Sequence, residues 1–105
     1  MNPIPFSPSR LLVAGCGFLG LPLARALHAA GVEVVGLVRS GDSARRLSRE
    51  RFPVHPCRLT DRERLADLGS FGAVVQCAGT GGGDAEAYRE TYLEGSRALR
   101  EIVAP

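Results

Sequence analysis

The sequence predicts an α/β fold: four parallel strands in the order 3-2-1-4, flanked by helices and ending after the fourth strand–helix unit. Three observations carry this. Short apolar, β-branched runs alternate with amphipathic runs of helical spacing along the chain. The first apolar run, Leu11 to Ala14, passes directly into Gly15-Cys16-Gly17-Phe18-Leu19-Gly20. Gly31 then separates a helical run from a second apolar run, where a glycine closing a helix belongs.

Each element has its own signal. Residues 1–9, with Pro3, Pro5 and Pro8, form an extended leader that cannot be helical. Arg10 to Ala14 is the first strand. Phe18 to Ala30 is the first helix, with Leu19, Leu23, Ala26, Leu27 and Ala30 at helical spacing. Val32 to Val38 is the second strand. Asp42, just after Gly41, caps a short arginine-rich helix reaching Arg51, with Ala44 and Leu47 inward. Pro53 to Cys57 is a third strand, and Pro53 and Pro56 put it at a sheet edge. Thr60 caps a helix over Asp61 to Leu68, with Glu63 as its capping-box partner. Ala73 to Cys77 is a fourth strand of the kind buried in parallel sheets. A loop over Gly79 to Gly83 leads to a last helix, Asp84 to Val103, carrying Tyr88, Tyr92, Leu93, Leu99 and Ile102. Residues 10–105 form one domain with right-handed crossovers.

Composition excludes several classes of chemistry. With 105 residues there is room for one domain with a buried core. A net charge of +2 argues against a nucleic-acid or anionic-membrane partner. All 13 basic residues are arginine, so no Schiff-base lysine, Walker A lysine or Tyr-x-x-x-Lys pair exists in the chain. Cys16, Cys57 and Cys77 are widely spaced and suggest no metal site. They read as reduced, apolar residues of a cytoplasmic protein. Arg10 followed by LLVAGC resembles an export signal, but the apolar stretch before Cys16 is too short for a signal core.

The glycine turn carries the function. A Gly-x-Gly-x-x-Gly means dinucleotide binding when it leaves a strand and opens a helix, and here it does both. Gly15 makes the sharp turn, Gly17 lets a pyrophosphate approach the backbone, and Gly20 lets the helix pack closely on the sheet. The N–H groups and positive end of that helix then face the phosphates. The element order becomes that of a Rossmann-like fold. An acidic residue about 20 positions beyond the glycines would bind the ribose 2′-hydroxyl of NAD. This chain has Arg39 and Ser40 there, a planar guanidinium and a hydroxyl suited to the 2′-phosphate of NADP. NADP is therefore the expected cofactor, with NAD the alternative.

From Leu11 to Val103 the chain resembles the extended and atypical short-chain dehydrogenases/reductases, in the NAD-dependent epimerase/dehydratase group. The residues that carry the resemblance are VAGCGFLG at 13–20, VVGLVRS at 34–40, LTD at 59–61, VVQCAG at 74–79 and YLEGSRAL at 92–99. It implies that Gly15, Gly17, Phe18, Leu19 and Gly20 hold the pyrophosphate, and that Arg39 and Ser40 select the adenosine ribose phosphate. It places Leu59 by the adenine and Cys77, Ala78 and Gly79 along the nicotinamide-side ribose. GFLGLPLA at 17–24 is also similar to the turn of nucleotide-sugar dehydrogenases, which usually carry aspartate where Arg39 stands.

The chain departs from the family pattern at two positions. Arg58 replaces an aspartate that often bonds the adenine amino group, and Tyr92 replaces a frequent asparagine. The family's Tyr-x-x-x-Lys would follow Pro105, so no catalytic residue is named here. Tyr88 and Tyr92 read as a helical packing pair. His28 and His55 have no partner arrangement. The expected function is the cofactor-binding portion of an oxidoreductase or epimerase/dehydratase, the alternative a non-catalytic dinucleotide-binding module. Strand four would be an open sheet edge, from which self-association into a homo-oligomer is expected.

Overall fold

Leu11–Ala14 forms strand β1, and its four fully covered residues point alternately into two apolar layers. Leu12 and Ala14 enter one layer; Leu11 and Val13 enter the other. Val34–Val38 (β2) continues the alternation, with Val35 and Leu37 on the first side and Val34 and Val38 on the second. A strand buried on both faces must have helices on both faces, and the chain supplies them. The computed structural model describes residues 10–79 and 83–104; residues 1–9, 80–82 and 105, and with them the expected leader and most of the expected loop, lie outside them.

Val54–Pro56 (β3) and Ala73–Gln76 (β4) complete a parallel sheet in the order β3-β2-β1-β4. The register pairs Leu11 with Val34 and with Ala73, and Val38 with Pro56. Helices α1 (Gly20–Ala29) and α2 (Gly41–Arg46) belong to the second layer, where Ala24 and Phe52 are buried. Helices α3 (Arg62–Asp67) and α5 (Gly95–Arg100) close the first, around Leu65, Phe71, Ala98, Leu99 and Ile102. Between them come α4 (Ala85–Tyr88) and a π-helical segment, Arg89–Glu94. After α5, Val103 forms an isolated parallel bridge to Phe71, ahead of β4.

Several boundaries differ from those expected, for physical reasons. Helix α1 starts at Gly20, because Phe18 and Leu19 belong to the turn, 93% and 71% exposed. Its buried stripe is Gly20 and Ala24, with Leu21 and Leu27 packed beside it, while Leu19, Ala26 and Ala30 face outward. Strand β2 starts at Val34, although Val32 is buried ahead of it. Helix α2 ends at Arg46, short of Arg51, and its cap is Ser40. Asp42 lies in its first turn and pairs with Arg45. Asp61, not Thr60, caps α3 by accepting the Arg64 N–H at 3.2 Å, so Glu63 falls one position short of a capping box. Strand β4 ends at Gln76 and is half-buried, since only β1 pairs with it.

The last helix departs most. Asp84 caps α4 by accepting the Ala87 N–H at 2.9 Å, as an aspartate at a helix start should. The following π turn breaks the expected single helix. Leu99 and Ile102 are buried, but Tyr88, Tyr92 and Leu93 are 49%, 49% and 41% exposed. The two tyrosine rings do pack on each other, with centroids 5.6 Å apart. His28 packs on Phe52, and His55 is exposed on β3. No helix among the described residues is long and apolar enough to cross a membrane.

Candidate functional site

The four strands run parallel, so their carboxyl ends lie along one edge of the sheet, and a ligand site in such a fold opens there. The edge holds a cleft of about 580 Å³, within the roughly 300–1,000 Å³ typical of small-molecule sites. Its floor begins at the turn after β1. Gly15 has φ +93°, which an L side chain rarely adopts, and a Cβ there would run into the backbone of Cys77 and Ala78. The turn is held to β2 by the N–H groups of Gly15 and Cys16, which both donate to the Leu37 carbonyl at 2.9 and 3.1 Å. Gly20 packs directly under Gly15, with its Cβ direction blocked by the Gly15 carbonyl.

Gly17 is different. A Cβ there would meet nothing within 4 Å, although the residue lines the cleft. The bare backbone at Gly17 therefore borders open space that a ligand can occupy. Helix α1, which begins three residues later, has no side-chain cap and no acidic residue in its first turn. Leu21 and Leu23 already donate their N–H groups to the Gly17 and Leu19 carbonyls and Pro22 has none, so the opening of α1 favours an anion through its dipole end and its lack of a carboxylate.

Nine expected site residues, Gly15, Gly17, Phe18, Leu19, Arg39, Leu59, Cys77, Ala78 and Gly79, line this one cleft. Gly20 and Ser40 do not. Gly20 acts beneath the turn. The Ser40 hydroxyl accepts the Ser43 N–H and donates to Ser43 Oγ, both at 3.2 Å, which turns it to the helix start. Ser43 supplies the hydroxyl residue of the lining instead. Leu59 has a second contact, since a Cβ on Gly95 would lie 2.7 Å from its Cδ1.

The cleft also contains residues that motif reading missed, and Arg58, which the resemblance marks only as a departure at the adenine. Arg58 and Thr60 follow β3, and the rule that strand carboxyl ends form the site points to them. Glu90 and Thr91 come from the π segment, for which no pattern in the sequence stands. Gln76 fixes the β4 end of the floor, its side-chain carbonyl accepting the Ala78 N–H at 2.9 Å. All three cysteines line the cleft, and burial pushes the Cys16 and Cys57 thiols above their ordinary values.

The sequence pattern of the NAD dependent epimerase/dehydratase family matches residues 11–101. The chain belongs to this family. No curated protein sequence matches it. Among solved structures, this epimerase/dehydratase fold is similar to the NAD(P)-binding domain of an exopolyphosphatase-related protein from Archaeoglobus fulgidus. The TM-score is 0.67 at 28% identity, covering 88% of this chain and 65% of that one. It is also similar in fold to ChuY, an anaerobillin reductase from Escherichia coli O157:H7, with TM-score 0.54 at 24% identity, over 86% of this chain and 46% of that one. The chain thus spans less than two thirds of the first neighbour's length and less than half of the second's. Its architecture is that of an NAD(P)-binding domain.

Proposed function

We propose that this chain is the NADP(H)-binding portion of a reductase or epimerase/dehydratase acting on a carbonyl or hydroxyl substrate. The observation that carries the cofactor choice is Arg39. It follows β2, lines the cleft, is exposed, and takes part in none of the ion pairs among the described residues. A carboxylate at that position would favour the ribose hydroxyl of NAD; a free guanidinium favours a phosphate. In this reading the pyrophosphate lies over Gly15, Gly17, Phe18, Leu19 and Gly20, against the start of α1. Leu59 borders the adenine, and Cys77, Ala78 and Gly79 line the ribose on the nicotinamide side. The bound nicotinamide supplies the hydride chemistry, and these residues position and shield it.

Titration calorimetry on the purified chain tests the choice. NADPH is expected to bind more tightly than NADH, and Arg39→Asp to reverse the order. A charge-assisted contact contributes about 1.5–3 kcal/mol, roughly ten- to a hundredfold in affinity. Equal affinities that the substitution leaves unchanged would overturn it.

A binding-only module is the second reading, and one observation favours it. The chain's two tyrosines, Tyr88 and Tyr92, pack against each other, and it contains no lysine to lower a phenol's pKa. NADPH binding without turnover on any carbonyl substrate, in the natural full-length protein, would establish this reading over the first.

A further inference from the structure

Two arginines end neighbouring strands at the same side of the cleft. Arg39 follows β2 and Arg58 lies two residues beyond β3, in strands whose register pairs Val38 with Pro56. Both line the cleft and both are exposed. Neither belongs to any ion pair among the described residues. The carboxylates nearest them in sequence are engaged elsewhere, Asp42 with Arg45 and Asp61 with the Arg64 N–H. The acidic residue of the lining, Glu90, comes from the segment after β4, at the opposite end of the strand order.

The backbone beneath Arg58 is pinned. The Cys57 N–H donates to the Val38 carbonyl at 2.8 Å, and the Asp61 N–H donates to the Arg58 carbonyl at 3.0 Å. The Cys57 thiol donates to the same carbonyl at 3.3 Å. Only the side chain of Arg58 remains to be arranged. Two like charges at one rim repel, and an anion between them removes that cost while gaining bonds from both planar forks. A phosphate monoester, with two negative charges and three equivalent oxygens, matches the pair better than a carboxylate or a phosphodiester does.

We propose that Arg58 is a second specificity-determining residue of the cofactor site, closing with Arg39 on the 2′-phosphate of NADP(H). The inference rests on the dinucleotide-binding reading above. It makes the β2 and β3 ends a two-arginine clamp and gives Arg58 a role in selecting the phosphate.

Two small probes separate the contributions: adenosine 2′,5′-bisphosphate carries the 2′-phosphate and adenosine 5′-monophosphate lacks it. Calorimetric titration of the full chain is expected to show the bisphosphate binding more tightly. Arg58→Gln and Arg39→Gln should each weaken the bisphosphate by about tenfold and change the monophosphate less than about twofold. The double variant should bind both probes equally, and circular dichroism should show all variants folded. Arg58→Gln weakening both probes alike, or neither, would overturn the clamp while leaving the dinucleotide site standing. A wild-type chain that binds neither probe nor NADPH would overturn the dinucleotide reading itself, and the clamp with it. If Arg58→Gln unfolds the chain, Arg58→Lys, which keeps the charge but loses the fork, should show an intermediate loss confined to the bisphosphate; no such loss would overturn the clamp.

Discussion

Gly20 lies so close beneath Gly15 that a Cβ on the first would collide with the carbonyl of the second, and would lie 3.3 Å from the Cys77 Cβ. The opening of α1, the turn after β1 and the end of β4 are therefore locked in one contact. Gly20→Ala is expected to destabilise the chain by about 1–3 kcal/mol, the scale of overpacking in a closed site. Urea titration reads it directly, and an unchanged midpoint would show that the turn can yield.

Gly17 gives the opposite expectation from the same turn. Its Cβ direction is open, so Gly17→Val should leave the far-ultraviolet spectrum and the melting midpoint close to those of the wild type. The added methyl groups would occupy the space proposed for the pyrophosphate, and NADPH binding should be lost. A folded variant with wild-type affinity would place the phosphates elsewhere.

The cysteines should react in a fixed order. Cys16 and Cys57 are buried and burial raises their thiol pKa values, whereas Cys77 is half-buried on the cleft floor. Iodoacetamide at neutral pH should alkylate Cys77 first, and saturating NADPH should slow that reaction. Mass spectrometry of the labelled peptides decides it; prior labelling of Cys16 or Cys57 would contradict the burial described here.

Acid should remove one identifiable tie. Arg25 donates to both carboxylate oxygens of Glu50 at 2.9 and 2.8 Å, joining α1 to the segment before β3. These bonds hold the Glu50 carboxyl below its ordinary value. A carboxyl whose folded pKa is depressed stabilises above its unfolded pKa and ceases to do so as pH falls through the folded one. The difference in melting temperature between the wild type and Glu50→Gln should therefore be full at neutral pH and vanish in the acid carboxylate range. A difference independent of pH would assign the effect to packing.

The strand order, the glycine turn and the edge position of β3 were legible because each is written in local patterns: alternation, a motif in its context, and two prolines. The caps were off by a residue or two where two candidates adjoin, Thr60 beside Asp61 and Ser40 near Asp42, since only the backbone path chooses between them. The last helix failed for a sharper reason. Tyr88, Tyr92, Gly95, Leu99 and Ile102 make one continuous stripe at α-helical spacing. The π turn shifts the stripe midway, so its second half is buried and its first half is exposed. Glu90 and Thr91 escaped because they reach the cleft through topology, not through a motif, whereas the family resemblance already sets position 58 beside the adenine.

The same π turn works as a gear between two surfaces. Thr91 and Ala98 are seven residues apart, which in an unbroken α-helix is two turns and one shared face. Here Ala98 is buried in the core while Thr91 lines the cleft. A π segment of six residues turns about as far as five α-helical residues, so it absorbs one surplus residue and keeps α4 in phase with α5. Were the same six residues wound as α instead, the core would keep Ala98, Leu99 and Ile102, but the preceding turn would rotate by about 100° and carry Glu90 and Thr91 away from the cleft. A single residue of surplus length thus sets which side chains the cleft wall presents, independently of how the core is packed.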